Sequence, residues 1–497
     1  MSASHPLPAP GSRLPPHARP DRKRFPLHPA ERAVLVAVTV HLCFLPWAIG
    51  TMHVWSQLTS LGLALVSFRL ALLSRNYTAV HTGGPAFRLN PWPRLLKFPL
   101  FWVGLALLGY IAIQGLNPSW VWERNATQWW LRRVDDIPWL PTSVDTPFER
   151  FNLWRQFIIY ASAWLTVCAI WVGFTRRHTL ELLLTCLASN GLLLAVVGGY
   201  FRLNHDWDTL PWSKEIIPGA TAFASFIYKN HAGAYLALMV ATFVTLACVH
   251  HERSERILAR SSPAVLFLLG ALAVTFAVVA TYSRGATLLV LVFLVVAAAI
   301  FLLNRILHRV GPAMPPLATL MVVLLSGVFV AFGATQFDYQ RAAGRFNLLR
   351  SAQDVSRDFR LEANLASLEM LEQRGLRGVG AGGFRYLYPE HIRHHPKIYE
   401  GGRLFWEHAH NDWLQIPIEL GAAGVFLLLV GGSWWLLQLV RLRAWLSLPA
   451  LLLLLGLVQT PLHALFDFPL QNPAVLITWC VLSVLLLRRL ELDPAET

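Results

Sequence analysis

Apolar runs of about twenty residues, separated by polar connections, recur from residue 33 to residue 488. An α-helix rises about 1.5 Å per residue, so a run of that length crosses the roughly 30 Å hydrocarbon layer of a bilayer. The pattern predicts twelve membrane-spanning helices, at about 33–50, 55–73, 98–116, 154–174, 180–200, 223–249, 263–282, 286–304, 317–336, 413–439, 446–465 and 473–488. The expected fold class is therefore an all-α polytopic membrane protein with about 12 transmembrane helices. Its expected divisions are a basic, Pro-rich and disordered tail at 1–32, nine helices over 33–336, a long loop at 337–412, three helices over 413–488, and a short tail at 489–497. Within the loop, Val355, Phe359, Leu365, Leu368 and Leu371 recur at helical spacing, which predicts an amphipathic helix over 354–375 ending at Gly375.

Composition supports the membrane reading. The chain is 55% hydrophobic and 14% charged, against about 25% charged for a soluble domain. Its formal net charge of +14 would suggest nucleic acid if it gathered on one soluble face. Instead the arginines and lysines occupy alternate connections: Arg22 to Arg32, Arg75 to Lys97, Arg176 and Arg177, Arg253 to Arg260, Arg305 and Arg309, Arg441 and Arg443, and Arg488 and Arg489. This is the positive-inside pattern, and it puts both termini in the cytoplasm without any nucleic-acid partner. The same alternation puts 117–153, 201–222, the turn 282–287 and the loop 337–412 outside. The five cysteines all lie in apolar runs with no CxxC, which argues against a disulfide framework or a zinc-thiolate site. No cleavable signal peptide is expected, because residues 1–32 lead into a full-length apolar run.

The outer face collects the polar groups that carry chemistry. "EHAHNDWLQIPIELG", residues 407–421, places His408, His410 and Asn411 at the mouth of the tenth run. An imidazole ionises at about 6.5 when unperturbed, so a histidine accepts protons near neutral pH. Read as a helix, Asp412, Gln415 and Glu419 share one face, and an ionisable Glu419 inside a span is expected to pair within the protein. Arg284, in "YSRGAT", either anchors at the headgroups or grips a phosphate with paired donors. Lys229, in "YKNHAGAYL", has the same two readings. His463 and Asp467, four apart in "PLHALFDFPLQNP", either pair on one helix face or line the same cavity. His391, His394, His395, His408 and His410 form an HxxHH and an HxH, which could ligate zinc. The loop has no cysteine and no HExxH, so no metal is expected. "GVGAGG" at 378–383 follows a predicted helix rather than a strand, so it reads as turn glycines and not as a dinucleotide fingerprint.

Together these stretches resemble the O-antigen ligase and polymerase superfamily of bacterial membrane glycosyltransferases. The signature is His-Asn, a short spacer, Leu and then Glu-x-Gly, here His410, Asn411, Leu414, Glu419 and Gly421. Arg360 through "GVGAGGF", ending at Phe384, is similar to the family's loop pattern. "SRG" before an apolar run and "HALFDFPL" also look like family features. The resemblance runs from about 220 to 475. It departs at Asn364 and Gly375, where the family tends to have Trp and Pro, so Arg341 and Arg345 are rivals of Arg360.

The resemblance implies a GT-C-like fold and a transferase using a polyprenyl-diphosphate-linked glycan as donor. The acceptor would be a glycan, a lipid A core or a protein hydroxyl. It further implies a bacterial inner-membrane protein with its site facing the periplasm, acting with inversion and with no cofactor. By similarity, His410 is the catalytic base and Arg284 and Arg360 bind the diphosphate, supported by His408, Asn411, Glu419, Lys229, Arg345 and Asp467. An O-antigen or exopolysaccharide polymerase, or a protein O-oligosaccharyltransferase, would share these residues. A lipid-linked glycan transporter is the reading from another class. It is disfavoured because no related halves are visible and the polar groups gather on one face rather than at the midplane.

Overall fold

The computed structural model describes residues 26–82, 86–203, 222–256, 262–308, 359–399 and 405–492. The expected span at 317–336, Arg345 and residues 1–25 and 493–497 of the two tails lie outside the described residues.

The other eleven expected spans all coincide with helices. These are α1 (Pro29–Trp47), α2 (Val54–Ala71), α5 (Pro99–Leu116), α6 (Leu153–Gly173), α7 (Arg177–Leu203), α8 (Lys229–Arg256), α9 (Ala264–Ala280), α10 (Arg284–His308), α14 (Asp412–Arg441), α15 (Leu448–His463) and α16 (Pro473–Leu492). Seven of them are long and apolar enough to cross a membrane: α1, α5, α6, α7, α8, α10 and α14. Two others, α9 and α15, are shorter apolar helices. The protein is thus a polytopic, mostly helical membrane protein.

Helix α8 is the centre of the bundle, packed against α7, α9, α10, α15 and α16, and its most apolar window is wholly buried. Its small residues make this possible. Gly456 of α15 sits against Ala241, where an added Cβ would stand 2.1 Å from the alanine methyl, and Gly233 similarly faces Ala286 of α10. Small residues let helix backbones approach closely inside a bilayer, where packing rather than water exclusion holds helices together.

The all-α expectation is corrected at two connections. Residues 75–89 hold a small hairpin, with β1 (Arg75–Tyr77) antiparallel to β2 (Phe87–Leu89), followed by the short helix α4 (Pro91–Leu96); α3 (Ala79–Thr82) lies between the two strands. The Trp-rich connection after α5 is a three-stranded sheet in the order β4-β3-β5: β3 (Pro118–Arg124), β4 (Trp129–Arg133) and β5 (Ser143–Asp145). β3 and β4 run antiparallel, with Trp120 opposite Arg133 and Trp122 opposite Leu131. Asn125 turns the chain between them, its side-chain oxygen accepting from the N–H groups of Thr127 and Gln128. Alternation of aromatic and β-branched residues with polar ones suits a pleated strand, and a window set to the length of a membrane helix averages it away.

The described part of the loop 337–412 packs on this sheet. Its helix α11, over 359–374, ends within two residues of the expected C-terminus, and of the expected apolar positions Phe359 and Leu371 pack on the core. Ala363, Ala366 and Met370 are buried with Trp122 and Val144, whereas Leu365 and Leu368 are exposed. Small side chains allow the close approach to the sheet that leucines would block. The loop continues through the glycines into α12 (Phe384–Ile392) and α13 (Pro396–Tyr399).

The glycines dock on a break in α14. Pro417 removes a backbone donor there, and Gly421 takes φ 65° and ψ −177°, outside the helical region. The carbonyls of Ile418, Glu419 and Leu420 find partners outside the helix. Ile418 accepts from Val379 N–H and Glu419 from Gly380 N–H, Glu419 also accepts from Gln114, and Leu420 accepts from the Tyr110 hydroxyl. Backbone polarity at membrane depth is tolerated only when it is paired in this way.

Candidate active site

The site is built where four chain segments meet at one end of the bundle: the start of α8, the start of α10, the mouth of α14 and the turn between α15 and α16. His410 lies just before α14 and takes a left-handed backbone with φ 52°, a conformation that is uncommon outside glycine and costs of order 1–3 kcal/mol. Asn411 caps the helix, its side-chain oxygen accepting from Trp413 N–H at 3.0 Å. Asp412 is buried and accepts from Leu470 N–H at 2.9 Å and from Gln471 at 3.2 Å. Its own N–H donates to Ala464 C=O at 3.0 Å. The mouth of α14 and the turn 464–471 are thereby fixed to each other.

That attachment brings Asp467 to His410. His410 Nδ1 is 3.6 Å from Asp467 Oδ1, and Asp467 is 2% exposed. The imidazole Nδ1 is buried, while the side chain as a whole is 23% exposed, so the accessible part of the ring is its other edge. Asp467 also receives the Asn230 side-chain amide, its own Oδ1 takes Phe468 N–H at 2.9 Å, and His463 Nε2 stands 3.9 Å from Oδ2. Burial alone would raise its pKa. The nearby His410 ring and the positive potential of His463, His410 and Arg360 outweigh burial and hold Asp467 at about 2. An ionised carboxylate behind an imidazole fixes the ring and stabilises its protonated form.

Phe468 is the packing centre of the site. His408 stacks on it at 4.4 Å and Tyr228 at 5.3 Å, and His410 and His231 meet it edge-on at 4.8 and 5.0 Å. His408 is buried between Gln415 (3.1 Å) and the Arg385 guanidinium (3.3 Å). Burial, and then the Arg385 charge, push its pKa well below the usual value for a histidine. The two histidines of "HAH" therefore differ: His408 is a packed neutral ring and His410 is the accessible one.

Glu419 lies deeper. Gln415 donates to it at 2.9 Å, and backbone N–H groups of Gly382 and Phe384 reach its carboxylate. Its role in the geometry is to hold the glycine loop against α14 and so set the position of Arg385.

The cations sit as follows. Arg360, on α11, donates to Phe466 C=O at 3.3 Å, which brings it to the residue next to Asp467. Arg284 opens α10 with an exposed side chain. Its neighbour Gly285 packs on the same turn, where an added Cβ would stand 2.3 Å from the Phe466 ring and 3.1 Å from His463. Lys229 opens α8, one residue before Asn230. His410, Asp467 and Arg360 are thus gathered at one turn, with Arg284 and Lys229 each one residue from a side chain or glycine that touches it.

Sequence reading passed over Asn230, Phe468 and Arg385. Asn230 and Phe468 lie in quoted motifs beside residues that were singled out, and Arg385 directly follows Phe384 at the end of the glycine pattern. The five loop histidines do not form one cluster. His395 is held between Glu362 (2.9 Å) and Glu369 (3.1 Å) of α11, remote in role from His408 and His410. Among the described residues, no three His, Cys, Asp or Glu side chains are grouped to hold a metal ion.

Residues 269–429 match the model of the O-antigen ligase family. The matched stretch contains Arg284, Arg360, His408, His410, Asn411, Glu419 and Gly421 and stops before Asp467. No curated protein matches the chain. The chain is a polytopic membrane protein whose residues 269–429 are similar to the O-antigen ligase family.

Proposed function

We propose that this protein transfers a glycan from a polyprenyl-diphosphate carrier to an acceptor hydroxyl, with His410 as the general base. The observation that carries the reading is the His410–Asp467 pair, 3.6 Å apart, with Arg360 tied to the same turn through Phe466 C=O. The acceptor oxygen attacks the anomeric carbon while its proton passes to the accessible edge of His410. The bond from that carbon to the diphosphate oxygen breaks, and the electron pair leaves with the lipid diphosphate. Attack opposite the leaving group inverts the anomeric configuration. Asp467 stabilises the imidazolium that forms, and Arg284 and Arg360 face the charge developing on the leaving group. Fixed cations at the point where charge develops supply a large share of catalysis, and the step as written needs no cofactor.

The proposed setting is a bacterial inner membrane, with twelve spans, both termini in the cytoplasm, and 337–412 forming a periplasmic domain with the sheet of 118–145. His408, Asn411, Glu419 and Lys229 position the reacting groups, and Arg345 is a further candidate cation. Ligation to a lipid A core, polymerisation and transfer to a protein hydroxyl all use this chemistry.

The test is reconstitution with a lipid-diphosphate glycan. A transferase releases lipid diphosphate only as acceptor is glycosylated, and His410→Ala should abolish this while the protein remains folded and inserted. Movement of lipid-linked glycan across liposomes without acceptor would support a transporter instead.

A further inference from the structure

A second polar site lies at the opposite end of the bundle. Helix α16 begins beside the turn that carries Asp467 and ends at Leu492. Its 20 residues span about 30 Å, so its far end lies at the other membrane surface. There a cleft of about 400 Å³ is lined by Tyr77, Phe87, Leu89, Arg94, Thr175, Arg176, Arg488, Glu491 and Leu492.

The cleft holds more positive charge than its own groups neutralise. Arg488 is 3% exposed. Its Nη1 pairs with Glu491 and its Nη2 donates to Phe174 C=O at 2.9 Å, but its Nε is buried with no partner among the described residues. Arg75, 1% exposed, donates from Nη1 to Gly173 C=O at 2.6 Å and leaves Nη2 equally unmatched. Glu31, the other carboxylate nearby, is taken by neutral donors: Thr175 N–H (2.9 Å), the hydroxyls of Thr175 (2.6 Å) and Thr179 (2.7 Å), and Tyr77 (3.1 Å). Arg94 makes no hydrogen bond and no ion pair among the described residues, although it is partly buried. Burial, and then the charge of Arg488, disfavour its protonated form. Two guanidiniums held together in a cleft without a bridging anion repel each other, and a phosphate oxygen between them would offset both costs.

The surroundings select the source of that phosphate. Phe87, Leu89 and Leu492 put apolar surface beside the cations. Trp92 and Leu96, flanking Arg94 on α4, are 51% and 48% exposed, as expected of side chains in the interfacial layer. We propose that this cleft binds the phosphodiester headgroup of an anionic phospholipid in the leaflet opposite the His410 site, with Arg94 and Arg488 on the phosphate.

The test uses the full-length protein reconstituted in vesicles of equal phosphatidylglycerol and phosphatidylcholine, extracted mildly and examined by native mass spectrometry. The wild type should retain phosphatidylglycerol in preference to phosphatidylcholine. Arg94→Ala should cut that retention roughly tenfold, and Arg94→Lys should fall between, because an ammonium keeps the charge but loses the paired donors. Arg94 makes no hydrogen bond or ion pair among the described residues, so both variants should unfold near the wild-type temperature, which serves as the control for folding. Equal retention of the two lipids, or unchanged retention in a folded Arg94→Ala protein, overturns the proposal. Displacement of the lipid by millimolar inorganic phosphate also overturns it, in favour of a soluble phosphate ligand.

Discussion

Gly378 and Gly421 meet through their main chains: a Cβ added to either would stand 2.7 Å from the amide nitrogen of the other. Both carry positive φ, 73° and 65°, so each is required to be glycine by its conformation and by its neighbour. Gly421, with ψ −177°, lies in a region that only glycine populates readily. Gly421→Ala should therefore destabilise the docking of the glycine loop by at least ~1–3 kcal/mol, make residues 359–399 sensitive to limited proteolysis and reduce glycan transfer. Gly432→Ala, later in the same helix with open space around it, should leave all three readings unchanged.

Asp467 is expected to act on rate rather than on binding. Asp467→Asn keeps the shape and removes the charge behind His410, so kcat should fall roughly a hundredfold or more, with little change in KM for the donor. An unchanged kcat would falsify the orienting role.

Donor binding should depend on the arginines. Arg284→Ala and Arg360→Ala should each raise the donor KM and lower kcat/KM, and Arg360→Lys should recover only part of the loss, because a single ammonium cannot make two parallel bonds to a diphosphate. A kinetically normal Arg360→Ala enzyme would transfer that role to another loop arginine, Arg345 first.

Acid should loosen the site through His408. Its pKa is depressed in the fold by burial and by Arg385, so the unfolded chain binds the extra proton first. The His408 contribution is constant above about pH 6.5, the ordinary histidine value, and declines as pH falls below it. Thermal unfolding between pH 8 and 5 should show a decline to which His408 contributes, and His408→Asn should reduce its slope. Asp467, held at about 2, contributes in the same direction only at much lower pH, between its ordinary carboxylate value and 2.

The orientation can be tested by thiol labelling. Trp139, 80% exposed beyond β4, and Trp445, 55% exposed between α14 and α15, lie in connections assigned to opposite sides. Trp139→Cys should react with a membrane-impermeant reagent in intact spheroplasts, and Trp445→Cys only after permeabilisation. The reverse pattern would invert the topology.

The helices were legible because each span reports its own burial in its own composition. His410, Arg284 and Asp467 were legible for a related reason: polar residues at the end of an apolar run are costly without a purpose. What local pattern does not carry is the partner. Phe359 and Leu371 pack on the core as the periodicity predicts, but the exposure of Leu365 and Leu368 and the burial of Ala363 and Ala366 depend on a sheet more than 200 residues earlier. Asn230 escaped notice beside Lys229 because its importance lies entirely in reaching Asp467, 237 positions away. Arg385 is similar: nothing around it in sequence marks it, and its contacts include His408, Glu407 and the Phe151 ring.

The attachment of Asp412 to the 464–471 turn has a consequence for biosynthesis. During synthesis, α8, α10 and α14 enter the membrane before the turn that carries Asp467 has been made. Until that turn docks, Asp412 lacks the Leu470 N–H and His410 lacks its carboxylate. These helices thus insert with the base unaligned, and alignment waits on a segment made after them.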